Sequence, residues 1–94
     1  MQVISPGEVL KTLYLEPLEM SAGQLAKAVK VPRTRIERIV KGETAITPDT
    51  ALRLARYFQS TPQLWLNMQS SWDLQNAEPK LRSEIDAIEP REVA

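Results

Sequence analysis

Residues 21–42 have the sequence SAGQLAKAVKVPRTRIERIVKG, which is typical of two short helices joined by a tight turn. Ser21 and Gln24 are spaced as a capping box, in which each side chain bonds a free backbone N–H at the start of a helix. Gly42 fits the left-handed residue that commonly follows the end of a helix. Because residues 30–32 leave room only for a turn, the stretch predicts a helix-turn-helix unit.

The apolar residues of this stretch fall at helical spacing, so each helix is expected to have one inward face. Ala26 is small at the point where the two helices come closest, which allows the second helix to project from the body of the protein. The predicted inward residues are Leu25, Ala26 and Val29 on the first helix and Ile36, Ile39 and Val40 on the second.

The opposite face of the second helix is polar and mostly basic. Arginine can bond guanine O6 and N7 in the major groove, and lysine at the far end of such a helix suits a phosphate. The same spacing is equally typical of an ordinary helical hairpin with a solvated basic face, so both interpretations stay open at this point. Under the first interpretation the candidate DNA-binding residues are Arg33, Thr34, Glu37, Arg38 and Lys41, whereas Arg35 faces a different side.

Another helix is predicted before this unit. Ser5 is a candidate N-cap, Pro6 suits the first helical turn, and Glu16-Pro17 ends the helix. The predicted inward residues are Val9, Leu10, Leu13 and Tyr14.

Two more helices are predicted after the unit. Thr47 caps the fourth helix, whose predicted inward residues are Ala51, Leu52, Ala55 and Phe58. Thr61 caps the fifth helix, and the Glu78-Pro79 pair is expected to break it, leaving a weaker charged helix over residues 80–89. The predicted inward anchors of the fifth helix are Leu64, Trp65, Met68 and Trp72.

No stretch alternates between apolar and polar residues for long enough to predict a strand. The predicted fold is therefore all-α, with five helices in one domain and an additional C-terminal helical segment. Residues 1–77 form the expected helix-turn-helix DNA-binding domain, and residues 78–94 form a charged tail.

The composition of the 94 residues excludes several classes of function. The chain has no cysteine and no histidine, which removes disulfides, thiolate metal sites and any catalysis built on imidazole. No apolar run approaches the roughly 18 residues of a membrane span, and the N-terminus lacks the pattern of a signal peptide. We expect a cytoplasmic protein that is not an enzyme, needs no metal or cofactor and has no membrane partner.

The net charge of zero hides an asymmetry along the chain. Residues 31–60 carry six basic and three acidic residues, a net charge of +3. Residues 61–94 carry three basic and six acidic residues, a net charge of −3. The middle of the chain is suited to a polyanion, whereas the tail is suited to solvent or to a basic partner.

Two segments resemble a known family. The stretch QLAKAVKVPRTRIERIVKGETAITPDTALRLARYF resembles the helix-turn-helix of Xre and phage repressors, which implies a lambda-repressor-like fold. The stretch ITPDTALRLARYFQSTPQLWLNMQSSWDL is similar to the HigA branch, the antitoxins of type II toxin–antitoxin operons. The resemblance extends from about Ile4 to Leu74 and leaves the tail poorly covered.

Three residues depart from the family pattern. Lys30 stands in the turn where the family usually has glycine, and a left-handed conformation there costs a non-glycine residue about 1–2 kcal/mol. Pro32 stands where serine or threonine often caps the second helix, and Ala22 stands where related repressors often carry a phosphate-binding glutamine. Each departure is expected to weaken DNA affinity without removing the basic face.

The end of the chain carries apolar residues beyond what a five-helix core needs. Leu81, Ile85 and Ile88 are spaced to form one helical stripe, with Leu74 preceding them. Such a stripe either covers the core or meets a second subunit, and helix-turn-helix modules usually bind DNA as dimers.

The resemblance implies an antitoxin that represses its own operon, binds double-stranded operator DNA as a homodimer and neutralises a cognate RNA-cleaving toxin of the HigB type. The alternative is a stand-alone Xre-type repressor of the same fold without a toxin partner. The sequence does not separate the two, whereas a small, basic neighbouring gene product would.

Overall fold

The computed structural model describes residues 3–92, and every regular element in that range is helical. The all-α prediction is confirmed. Residues 1–2 of the predicted domain and 93–94 of the predicted tail lie outside the described residues. The helices are α1 (Pro6–Val9, continued by a π-helical segment Leu10–Leu15), α2 (Ala22–Val29), α3 (Arg33–Val40), α4 (Pro48–Phe58) and α5 (Pro62–Asp86).

The first helix begins as predicted but changes its hydrogen-bonding pattern within one turn. The Ser5 hydroxyl accepts a bond from the Glu8 N–H at 3.2 Å. Bonds between residues five apart then form the π-helical segment. This pattern brings Leu10 and Leu15 onto the same buried face, whereas Leu13 is 67% exposed. The prediction that Leu13 faces inward was therefore wrong, because it assumed ordinary α-helical spacing.

The helix-turn-helix forms as predicted. The Ser21 hydroxyl accepts the Gln24 N–H at 3.0 Å, and the Gln24 side chain accepts the Ser21 N–H at 2.8 Å. The turn consists of residues 30–32 between α2 and α3. Gly42 follows α3 with a φ of +77°, and the next N–H, that of Glu43, bonds the Arg38 carbonyl at 2.8 Å. These bonds define where α2 begins and where α3 ends.

The core lies between α1, α2, α3 and α4 and is closed by α5. The predicted inward residues of α2 and α3 are confirmed, except that Val40 is only half-buried. On α4, Leu54 is fully buried and Leu52 is 60% exposed, so the prediction for Leu52 was wrong. Helical spacing from Ala51 leads to positions 54, 55 and 58, and Leu52 points about a quarter-turn away from that stripe.

Trp65 is the anchor of α5. Its indole is fully buried, and its Nε1 donates to the Ser60 hydroxyl at 3.3 Å. Its ring centroid lies 5.2 Å from that of Tyr14 and 6.4 Å from that of Phe58. Leu64, one residue earlier in the chain, faces away from this cluster and is exposed, so its predicted anchoring role was wrong.

Two other predicted anchors, Met68 and Trp72, are half-buried. Further along the same helix, Gln69 accepts the Ile46 N–H and Gln75 accepts the Val3 N–H, both at 2.8 Å. These side chains bind the loop before α4 and the N-terminal segment to α5.

The fifth helix does not break at Glu78-Pro79. It continues through Pro79 to Asp86, so the break predicted there was wrong. Proline removes one helical N–H, but this part of α5 is exposed, and water can satisfy the carbonyl that is left free. The C-terminal segment is thus the end of α5, and the described chain measures 52 × 25 × 24 Å.

Candidate nucleic-acid interface

The second helix of the motif, α3, is held by contacts on two sides. Its Ile36 and Ile39 side chains are buried in the core that α2 shares. At the other end, Gly7 of α1 lies so close to the Ile39 carbonyl that a methyl group on Gly7 would overlap the carbonyl oxygen. This packing leaves the remaining face of α3 free toward solvent.

The structure brings the five predicted DNA-binding residues together on that free face. Thr34, Arg38 and Lys41 are exposed, and so is the side chain of Arg33, at 72%. Glu37 is half-buried, and its Oε2 lies 3.6 Å from the Arg33 Nε. An exposed ion pair of this kind contributes only about 0–1 kcal/mol, so Arg33 can exchange it for another acceptor.

Arg38 and Lys41 are the strongest candidates for contacting an anion. Neither forms an ion pair with any carboxylate of residues 3–92. Arg38 also borders a surface groove of about 410 Å³ between α3 and the loop before α4. Hydroxyl and guanidinium groups line this groove together with apolar and acidic groups; among its residues are Thr34, Arg38, Thr44, Thr47 and Asp49.

A charged network not predicted from the sequence connects α3 to α4, beside the groove. Asp49 Oδ1 accepts the Arg53 Nε at 2.7 Å and the Arg35 Nη1 at 2.9 Å. The Arg53 Nη1 also donates to the carbonyls of Val29 at 2.8 Å and Lys30 at 3.2 Å. The Asp49 carboxylate and the Arg53 guanidinium together therefore connect α3, α4 and the turn that separates α2 from α3.

The hydrogen bond from Arg53 is the main cause that lowers the pKa of the Asp49 carboxyl below its usual range. The Arg53 charge and the Arg35 pair add to this effect, and partial desolvation of the carboxyl opposes it. Asp49 and Arg53 are four residues apart, a spacing that indicates a helical ion pair. The bonds to the turn have no comparable local signal, because Arg53 and Val29 are 24 residues apart.

The departures from the family pattern have clear structural outcomes. Lys30 adopts the left-handed conformation, with φ of 63° and ψ of 49°, where glycine is usual. Arg53 bonds the Lys30 carbonyl at this same residue. Pro32 precedes α3 as its N-cap without a side-chain hydrogen bond, and Ala22 is the first residue of α2.

Two other classes of site are absent from the described residues. Among residues 3–92 no group of three or more histidine, cysteine, aspartate or glutamate side chains could hold a metal ion. None of the helices in this range combines the length and apolar character that crossing a bilayer requires.

Comparison with known proteins identifies the family. The helix-turn-helix family matches residues 12–65. Virulence-associated protein I of Dichelobacter nodosus is 51% identical over 90 residues, which are 96% of this chain and 82% of that protein. The structure of Pseudomonas aeruginosa antitoxin HigA with the higBA promoter has a TM-score of 0.91 at 36% identity, covering 97% of this chain and 100% of that one. An addiction module antidote protein of the HigA family from Coxiella burnetii has a TM-score of 0.90 at 41% identity, with 97% and 100% covered. The chain belongs to the HigA branch of the helix-turn-helix family, whose members are DNA-binding regulators.

Proposed function

We propose that this protein is an antitoxin and transcriptional autorepressor that binds operator DNA through α3 and neutralises a cognate RNA-cleaving toxin of the HigB type. The observation that carries the DNA-binding part is the free basic face of α3, where Arg38 and Lys41 have no carboxylate partner in the described chain. A similar protein, the P. aeruginosa antitoxin HigA, has a structure with the higBA promoter, which supports the same role here.

Four of the five residues on the α3 face have a specific proposed role. Arg33 and Thr34 in the first turn and Arg38 one turn later read base edges in the major groove, with Glu37 between them. Lys41 at the far end of the helix binds a backbone phosphate and adds affinity for any sequence.

We propose that the protein binds DNA as a homodimer, because one helix-turn-helix makes few contacts and paired half-sites lie about 34 Å apart. The exposed end of α5 supports this proposal. Apolar side chains on this part of α5 and just beyond its end are between 42% and 63% exposed in the single chain, and a second protomer would remove them from water: Leu74, Leu81, Ile85 and Ile88.

Toxin neutralisation is supported by charge as well as by family. Residues 61–94 carry a net charge of −3, and an enzyme that holds RNA phosphates is expected to be basic. The alternative function is a stand-alone Xre-type repressor, for which the α3 face alone is sufficient. Both functions place the protein in the bacterial cytoplasm, where operator DNA is found.

Titration of the DNA upstream of the gene at two salt concentrations tests the DNA-binding part. Each protomer of a dimer presents Arg33, Arg38 and Lys41 to the DNA, so binding should release several counterions. The affinity for DNA should therefore fall steeply between about 50 and 200 mM salt. Affinity that does not change with salt, or no binding, would contradict the repressor role. Lys80→Ala is the control protein, and it should show the same salt dependence as the parent. Lys80 is also an exposed basic residue, but it lies outside α3, on α5.

Co-expression with the product of the neighbouring gene separates the two functions. An antitoxin should restore growth and co-purify with that product as one complex. If it does neither, only the stand-alone repressor remains.

A further inference from the structure

The carboxylate of Asp49 is shared by two arginines from different helices. Arg35 comes from α3, and Arg53 comes from the next turn of α4. Both arginine side chains remain more than one-third exposed, at 38% and 39%, so they are close to solvent and not sealed in the core. A charge at this position is accessible to a polyanion unless another group holds it.

Arg35 lies directly beside the proposed reading face, immediately after Arg33 and Thr34. It also lines the groove next to α3, together with Arg38 and Asp49. If Arg35 were released from Asp49, it could reach the DNA phosphates, which attract basic side chains whatever the base sequence. In the structure its guanidinium is turned instead to Asp49.

The same carboxylate holds Arg53 in place by the 2.7 Å bond to its Nε. The other end of that guanidinium bonds the Val29 and Lys30 carbonyls, which belong to the end of α2 and to the turn. Asp49 thus acts on α3 twice, directly through Arg35 and indirectly through the turn that leads into the helix.

We propose that Asp49 is a positioning residue of the DNA interface that keeps the Arg35 charge away from the phosphates and fixes the approach of α3, and so sets the ratio of operator to non-specific affinity. This inference rests on the proposed DNA-binding function. Its physical basis is that phosphate contacts add affinity for every sequence, whereas base contacts add affinity for the operator alone.

Asp49→Asn in the full chain is the first test, with Glu43→Gln as the control. Both changes remove one negative charge near α3, but Glu43 makes no ion pair within residues 3–92. We expect Asp49→Asn to raise affinity for a random duplex by about three- to tenfold at low salt, and to steepen its salt dependence by about one unit per freed arginine. Operator affinity should rise less, so the ratio of operator to random-duplex affinity should fall. Glu43→Gln should change both affinities by a similar factor.

Arg35→Gln is the second test and does not depend on the stability of the first variant. Since Asp49 already holds this charge, we expect affinities for operator and random DNA within about twofold of the parent. Adding Arg35→Gln to Asp49→Asn should remove most of the gain in random-duplex affinity, which a merely structural role of Asp49 does not predict.

Two results would overturn the inference. One is an unchanged affinity ratio in a folded Asp49→Asn protein, and the other is a tenfold or larger loss of operator affinity in Arg35→Gln. If the parent protein itself does not bind the operator, the proposed DNA-binding function is wrong. This result is distinct from the two above, because it is obtained with the parent alone.

Discussion

Replacing Gly7 by alanine should test how α1 holds the end of α3. Gly7 is buried, and a Cβ atom placed on it would overlap the Ile39 carbonyl oxygen. The same atom would lie 2.9 Å from the Ile39 carbonyl carbon and 3.2 Å from the Val40 Cα. These are backbone atoms of α3, so no side-chain rotation can relieve the contact, and α1 must move away.

The expected cost follows from two opposing effects. Alanine favours a helix over glycine by about 1 kcal/mol, and overpacking of a tight contact costs about 1–3 kcal/mol or more. Because the overlap at Gly7 is with backbone, we expect the upper part of that range and a net destabilisation of about 2 kcal/mol. In a domain of this size each kcal/mol corresponds to about 4–8 °C, so the melting temperature should fall by about 8–16 °C.

Thermal unfolding followed by circular dichroism measures this difference. Gly23→Ala is the matched control, since its Cβ would lie 3.1 Å from the Arg33 Cδ, in a flexible side chain that can move. We expect Gly23→Ala to melt within a few degrees of the parent. A Gly7→Ala protein that melts at or above the parent temperature would refute the reasoning, because the close approach of α1 to α3 would then be absent in solution.

Three further predictions concern the interface, the charged network and the end of α5. Arg38→Ala should weaken operator binding by about 1–3 kcal/mol and relax the preference at one base position, whereas Lys41→Ala should weaken binding to operator and random DNA equally. Both effects can be measured by electrophoretic mobility shift with a library of operator variants. The pKa of Asp49 is lowered in the folded protein, so its ionised carboxylate stabilises the fold above about pH 4, the pKa of the unfolded chain. This contribution disappears as pH falls through the folded pKa. The difference in urea stability between the parent and Asp49→Asn should therefore shrink from pH 7 to pH 3. Ile85→Ser should reduce the fraction of dimer in light scattering, and Glu84→Ala should leave it unchanged.

The helix-turn-helix could be predicted because its determinants are local. The Ser21 cap, the three-residue turn and Gly42 each act within a few residues, and the apolar spacing of α3 determines which face remains free. The position of the proposed site residues on one exposed face follows from that spacing alone.

The wrong predictions concern places where local rules compete with other constraints. The prediction for Leu13 was wrong because the hydrogen bonds of the first helix change from four- to five-residue spacing. A proline usually ends a helix, but α5 continues through Pro79, where the helix is exposed and water can bind the free carbonyl. The contacts of Arg53 with the Val29 carbonyl depend on how α2 and α4 pack, which no local pattern contains.

The projecting half of α5 also changes how the protein should behave during purification. The Cα radius of gyration is 16.4 Å, compared with about 12 Å for a compact domain of this length. A chain of this shape experiences more friction than a sphere of equal mass, so it should elute early from a size-exclusion column. An apparent mass calibrated on globular standards would then make one chain resemble two, and the number of protomers has to be counted by a method that measures mass directly.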